Sequence, residues 1–399
     1  MTSQSRLCWE TTGPKDLSET PPNRTSEQAF ERTSPRAELP INFASPLFAD
    51  ITQALGRVPI VRLNRLDPIC QTHELYLKLE SCNPGGSIKE KNAAFLIQDA
   101  ERLGILQPGG TIIESSSGNF GIGLAMIGAA KGYPVMIVID AKTSPTMRRM
   151  LMAYGAKLVE VPLSAADSQG SMQVARMEKA QALANQIPNS WYVCQHKNPK
   201  NPEAHALFTA REIEAAFGGA PDAIVVGIST AGQLGGIAKF FRSRYPKTRI
   251  IGVDVAGSAI LGTPRHPYKM TGLGLSFVPP NFSTDMLDQA YSVSDRLAFS
   301  VCHALSQQEG LLLGASTGAI VAAAIAAAQS NLQDNLQDSF QDRPQTMLLL
   351  NPDRGDRYLE TVYNPEWLAA QDIDLFEADR LKDALRFLQP VVLPSSIPA

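Results

Sequence analysis

The chain has 399 residues, 44% of them apolar and 19% charged, with a formal net charge of −3. That length can bury a large core and has room for two domains, and the near-neutral balance offers no basic surface for nucleic acid or an anionic membrane. Five scattered cysteines (Cys8, Cys70, Cys82, Cys194, Cys302) form no CxxC pair, which argues against a zinc cluster or a disulfide framework and fits a reducing cytosol.

Residues 1–40 are rich in Ser, Thr, Pro, Glu and Arg without periodicity and are expected to be a disordered extension. Their first twenty positions are polar and give no secretory signal. Order is predicted to begin near Ile41, with residues 48–55 helical and 60–63 a short strand. Residues 74–80 alternate apolar and polar, a strand that leads straight into Asn83-Pro84-Gly85-Gly86-Ser87-Ile88-Lys89. That turn delivers one lysine to the mouth of a helix, where it loses its proton more readily and can attack a carbonyl. A solvated surface lysine after a glycine turn is the plain alternative.

Strands are then predicted at 111–114, 135–139, 157–161, 223–227, 250–255 and 346–350. Helices between them run through 130, over 146–154, through 184, and onward from 234 and 318. Such alternation predicts parallel sheets flanked by helices, with a site at the carboxyl ends of strands. The Ala-rich run 318–328 is too short to span a bilayer and reads as a buried helix. The Leu-Gln-Asp near-repeat makes 331–345 a polar surface insertion, and 371–399, Pro/Ser-rich from 390, reads as a C-terminal tail.

Two further strand-to-helix loops stand out. Glu114-Ser115-Ser116-Ser117-Gly118-Asn119 suits a small anion such as an amino-acid carboxylate, although an ordinary serine N-cap accounts for the same residues. Gly227-Ile228-Ser229-Thr230-Ala231-Gly232-Gln233-Leu234-Gly235-Gly236 lets backbone N–H groups close around a phosphate. It lacks the Gly-Lys-Ser/Thr of a Walker A loop and a strict GxGxxG, so a cofactor with one phosphate is the better match.

A reactive lysine, a carboxylate loop and a monophosphate loop in this order resemble the fold type II pyridoxal-phosphate (PLP) enzymes of the cysteine synthase/cystathionine β-synthase family. Lys89 matches the family's Asn-Pro-x-x-Ser-x-Lys, Ser116-Ser117-Gly118-Asn119 its Thr-Ser-Gly-Asn, and Ser229–Gln233 its Gly-Thr-Gly-Gly-Thr. Thr271-Gly272-Leu273-Gly274, Gly314-Ala315-Ser316-Thr317-Gly318 and Pro352-Asp353-Arg354-Gly355-Asp356-Arg357-Tyr358 also align. The resemblance implies a two-domain α/β fold, tryptophan synthase β-like. A large PLP-binding domain would comprise 41–83 and 196–370, and a small mobile domain 84–195. It further implies pyridoxal 5′-phosphate as cofactor, small-molecule amino-acid substrates, and a cytoplasmic homodimer with no nucleic-acid or membrane partner.

By the same resemblance Lys89 is the catalytic Schiff-base lysine and general base. Asn119, Ser229, Thr230, Ala231, Gly232, Gln233 and Asp353 contact the cofactor, and Ser116, Ser117, Gly118, Asn119, Arg176 and Gly272 the substrate. No metal is implied. Asp353 stands where relatives place a serine facing the pyridine nitrogen; it either holds that nitrogen protonated or turns into a salt bridge with Arg354 or Arg357. Asp353, the altered phosphate loop, Asn-Pro-Gly-Gly-Ser and Ser144-Pro145-Thr146 look like the branch that joins O-phospho-L-serine to L-glutamate through an α-aminoacrylate, in 2,3-diaminopropionate and siderophore biosynthesis. A cysteine synthase using O-acetylserine or O-phosphoserine with sulfide is the runner-up, and a catalytically silent scaffold the third reading. The substrate anions need cationic partners, for which Arg148, Arg149, Arg176, Lys269 and His266 are candidates. Arg176 is favoured by its place in the small domain, and Gln195 and His196 follow a strand near the cleft.

Overall fold

The computed structural model describes residues 47–66, 73–168, 170–334 and 344–393, with backbone alone for 331–334. Ile60–Arg62 (β1) pairs antiparallel with His73–Leu79 (β2), and the lysine turn carries the chain into Lys89–Arg102 (α1). Thr111–Ser115 (β3), Asn119–Lys131 (α2), Val135–Asp140 (β4), Pro145–Ala153 (α3), Lys157–Val161 (β5), Gln173–Gln186 (α4) and Ser190–Tyr192 (β6) then alternate. Asn201–Leu207 (α5) and Thr209–Phe217 (α6) precede Ala223–Gly227 (β7), Gly232–Arg244 (α7), Arg249–Val255 (β8) and Gln289–Val293 (β9). Asp295–Ala304 (α8), Ala315–Asp334 (α9), Gln345–Asn351 (β10), Pro365–Ala370 (α10) and Ala378–Arg386 (α11) complete the order.

Two sheets result, one in the order β1-β2-β10-β7-β8-β9 and one in the order β5-β4-β3-β6. Every pairing is parallel except β1 with β2, so the expected parallel sheets hold apart from one short edge strand. The central strands are apolar on both faces because helices cover both: Leu349 of β10 packs toward α8 and α9, and Leu348 toward α6 and α7. The alanines of α9 from Ala319 to Ala328 are buried all round, as an evenly apolar helix should be. Cutting fully buried Leu349 back to alanine removes apolar contact and leaves a cavity, a cost of about 2–5 kcal/mol.

Three expectations change. Residues 48–55 hold only one 3₁₀ turn, Ile51–Ala54, capped by the Asp50 side chain on the Thr52 N–H. The polar insertion is shorter than 331–345: helix α9 continues to Asp334 and Gln345 already opens β10, while 335–343 lie outside the described residues. The C-terminal tail is no tail from 371 on, because α11 is amphipathic and buries Leu381 and Leu385 against α8 and α9. Beyond it, the Val391 N–H donates to Ala290 O at 2.8 Å, while residues 394–399 are undescribed. The extension expected at 1–40 also lies outside the described residues. Among the described residues no helix is long and apolar enough to cross a membrane.

Candidate active site

The lysine turn is built by close approach. Gly86 has φ +85°, and a Cβ there would lie 2.7 Å from Arg354 Cδ, so a side chain is excluded on both counts. Glu90 reaches back to clamp Ser87: the Ser87 N–H donates to Glu90 Oε2 (3.0 Å) and its hydroxyl to Glu90 Oε1 (2.6 Å), while Ser87 Oγ accepts from the Lys89 N–H (3.2 Å). The Ile88 N–H donates to Pro352 O at 2.8 Å, which fixes the start of α1 to the end of β10. Lys89 is thereby held at the first turn of α1, and its amine makes no hydrogen bond or ion pair among the described residues. Burial lowers its pKa to about 8, against an opposing pull from Asp353.

The neighbouring lysines are treated differently. Lys91 is bracketed by Glu80 (2.9 Å) and Glu212 (2.6 Å), and Lys78 of β2 by the same two carboxylates. This four-charge cluster lies beneath α1 and joins it to β2 and α6.

The phosphate loop connects to α1 through Asn201. Its amide donates to Gln195 O (2.9 Å) and Thr230 Oγ1 (3.1 Å), and its oxygen accepts from Asn92 of α1 at 2.8 Å. Gly232 lies so near that a Cβ would fall 1.9 Å from Asn201 Oδ1. Ala231 takes the left-handed φ of +58° and gives α7 no N-cap side chain, and the Gly232 N–H reaches Thr230 Oγ1 only at 3.5 Å. Gln233 Nε2 is buried without a partner. An uncapped 13-residue helix with an orphaned buried donor at its first turn fits a monophosphate, as the PLP phosphate requires. Ser229 is half-buried and Thr230 buried at the same turn.

The serine loop shows its capping reading in one residue and leaves three others at the helix mouth. Ser116 Oγ accepts from Gly121 N at 3.0 Å, a capping role for α2, whereas Ser117, Gly118 and Asn119 remain half-buried at the helix mouth. Glu114 underneath is fully buried; it accepts from the N–H groups of Ser115 (2.7 Å) and Gln195 (3.1 Å), and burial pushes its pKa up to about 8. Gly272, exposed at φ +93°, approaches Ser316.

Asp353 is 1% exposed and forms no ion pair with Arg354, which reaches Asp356, or with Arg357, which bonds Asn119 Oδ1 and Gly85 O. Its Oδ2 accepts from Asn119 Nδ2 at 2.7 Å and from the Tyr358 hydroxyl, and its Oδ1 is unpartnered.

Of the candidate cations, Arg176 alone is buried. Its Nη1 faces Asp140 Oδ2 at 3.2 Å as an ion pair outside hydrogen-bond geometry, and its Nε has no partner. Buried with unpartnered polar atoms beside it are the Tyr192 hydroxyl and His196 Nδ1. Burial, then Arg176 and Lys89, lower the His196 pKa to about 3, so the ring is neutral. Arg148 instead closes the 140–143 turn through Thr143 O and Asp140 O; Arg149 pairs with Glu360 at the surface; Lys269 and His266 are exposed. Asn201 and Tyr192 are residues that the sequence did not single out; Arg357 and Tyr358 stood in an aligned motif, Arg357 as a possible partner of Asp353, without their bonds to Asn119 and to Asp353 Oδ2 being foreseen. The doubled turn Asn198-Pro199, Asn201-Pro202 was the available signal for the first.

The family model of the pyridoxal-phosphate dependent enzymes matches residues 51–339. The chain is 37% identical to an N-(2-amino-2-carboxyethyl)-L-glutamate synthase of Cupriavidus metallidurans over 319 residues, 80% of this chain and 91% of that one. It is 38% identical to a cysteine synthase of a Flavobacterium species over 270 residues, 67% of this chain and 85% of the relative. The solved structure of an O-ureido-L-serine synthase superposes with a TM-score of 0.70 at 32% identity, covering 85% of this chain and 100% of that one.

Proposed function

Because the chain belongs to the pyridoxal-phosphate dependent enzymes and is a β-replacement synthase among them, we propose that it condenses O-phospho-L-serine with L-glutamate, giving N-(2-amino-2-carboxyethyl)-L-glutamate and phosphate. The observation that carries this reading is Arg176 itself, a buried guanidinium whose Nη1 faces Asp140 at 3.2 Å and whose Nε has no partner, near enough to Tyr192 and His196 for its charge to act on both. Substrates with extra anionic groups need such a group, and sulfide does not. The similarity to the Cupriavidus synthase supports it. The cysteine synthase reading draws support from an equal identity to the Flavobacterium enzyme.

The bound cofactor supplies an electron sink for charge developing at the substrate Cα. Lys89 takes the Cα proton and later returns it, a role suited to an amine that burial keeps close to neutral. Ser117, Gly118 and Asn119 orient the substrate carboxylate at the mouth of α2, with Ser116 holding that mouth in shape and Gly272 closing the opposite side. Ser229, Thr230, Ala231, Gly232 and Gln233 retain the cofactor phosphate. We place the enzyme in the cytoplasm as a homodimer whose smaller half, residues 84–195, closes on the substrate. Purified full-length protein given phosphoserine with either glutamate or sulfide tests the reading by mass spectrometry. The glutamate adduct with stoichiometric phosphate is expected, and cysteine without the adduct overturns it.

A further inference from the structure

Asn119 is held at both ends by the chain itself. The Arg357 guanidinium donates to its Oδ1, and its Nδ2 donates to Asp353 Oδ2 at 2.7 Å, an oxygen that also accepts from the Tyr358 hydroxyl. A donor on one side and an acceptor on the other admit one orientation of the amide, since the flipped form would set its NH₂ against Arg357 and its oxygen against a carboxylate. One N–H of Nδ2 stays free. Asn119 is half-buried where Asp353 is 1% exposed, so of the two bonded side chains the amide is the more accessible.

We propose that Asp353 is a positioning residue: with Arg357 and Tyr358 it fixes the Asn119 amide so that the free N–H points at the 3-oxygen of the cofactor, and it does not act on the ring nitrogen. This rests on the family's cofactor and on no choice of nucleophile. Burial raises the Asp353 pKa, while the nearby Arg357 charge and the hydrogen bonds from Tyr358 and Asn119 pull it back; those two bonds, both to Oδ2, fix the carboxylate, and Oδ1 has no partner. A carboxylate bonded through one oxygen to two donors has its direction set, and the residue it orients inherits that direction.

The lysine-bound cofactor reports the 3-oxygen through the ratio of its visible to its near-ultraviolet band, because an N–H donor there favours the form with the charged oxygen. With holoenzyme, Asp353→Ser and Asn119→Ser are expected to shift that ratio alike, by about tenfold toward the ultraviolet form, one hydrogen bond's worth. Asp353→Asn, which keeps an acceptor oxygen for Asn119 and Tyr358, is expected to restore most of it. The ¹⁵N resonance of cofactor labelled at its ring nitrogen is expected to stay put in Asp353→Ser. A changed ¹⁵N shift in Asp353→Ser assigns the carboxylate to the ring nitrogen and overturns the proposal. So does a band ratio that responds to Asn119→Ser but not to Asp353→Ser. Any variant that fails to bind cofactor leaves Asp353→Asn to decide, since a role for the charge itself would not survive that substitution.

Discussion

The two sides of the cleft are finished to different degrees. On the cofactor side, the lysine turn, the end of β10 and the phosphate loop are bonded to one another through Pro352 O, Asn201 and Arg357, and the buried atoms left over, Asn92 Oδ1, Gln233 Nε2 and Asp353 Oδ1, lie one to a residue. On the substrate side, Ser115 Oγ, the Tyr192 hydroxyl, His196 Nδ1 and two nitrogens of Arg176 are all buried without hydrogen bonds. Buried polar groups without partners are costly, by about 1–3 kcal/mol each. A fold tolerates several of them together where a ligand completes them, which supports the proposed division between a side for a resident group and a side for visitors.

The sharpest way to break that contrast is Lys89→Ala, which belongs to both sides. It should abolish the cofactor's Schiff-base absorbance and lower turnover by roughly 10²–10⁴-fold or more, read in a phosphate-release assay. Arg176→Met should strike the visitors alone. We expect kcat/KM for phosphoserine to fall by roughly 10- to 150-fold, the worth of hydrogen bonds to a charged group, with an unchanged cofactor spectrum. Arg176→Lys should recover part of the loss. Gly232→Ala does the converse, since its Cβ would collide with Asn201 at 1.9 Å. Overpacking of about 1–3 kcal/mol should weaken cofactor retention by roughly 5- to 150-fold, measured by equilibrium dialysis. If it changes KM for substrate and leaves retention intact, the assignment of the two sides is reversed.

The smallest effect concerns pH. Only the neutral amine of Lys89 can attack a carbonyl, and its pKa is lowered to about 8. Uptake of cofactor by the cofactor-free protein should therefore rise by about tenfold per pH unit up to about pH 8 and level off above it. Asp353 opposes the lowering, so Asp353→Asn should move the plateau to lower pH. A rate that goes on rising about tenfold per unit from pH 8 to 10 would falsify a depressed lysine.

Much of the cofactor side was legible because its signals are local. A strand that ends in Asn-Pro-Gly-Gly, or in a run of serines and small residues, announces its own turn and the helix mouth behind it. Lys89, Asn119 and Gly232 all sit within a few residues of such a break. The unread parts act across the chain: Asn201 meets Asn92 from 109 positions away and Thr230 from 29. Arg357 reaches Asn119 across 238 positions. Strand β6, read from the sequence only as a strand before Gln195 and His196, is three residues long and carries no period from which Tyr192 could be picked out. Helix α11 was taken for a tail because nine mostly charged residues hide a two-leucine stripe that becomes visible only when α8 and α9 receive it. The Arg148-Arg149 pair shows the opposite error, charges that looked available but are spent on a turn and on Glu360.

The charge cluster beneath α1 has a practical corollary for chemical labelling. Lys78 and Lys91 are each clamped between Glu80 and Glu212, whereas Lys89, two positions before Lys91, carries no carboxylate partner. Three amines in one small region thus differ sharply in nucleophilicity. A small aldehyde with a mild hydride donor should tag Lys89 first near neutral pH, so that a single peptide mass reports how much of the protein still has its cofactor site open.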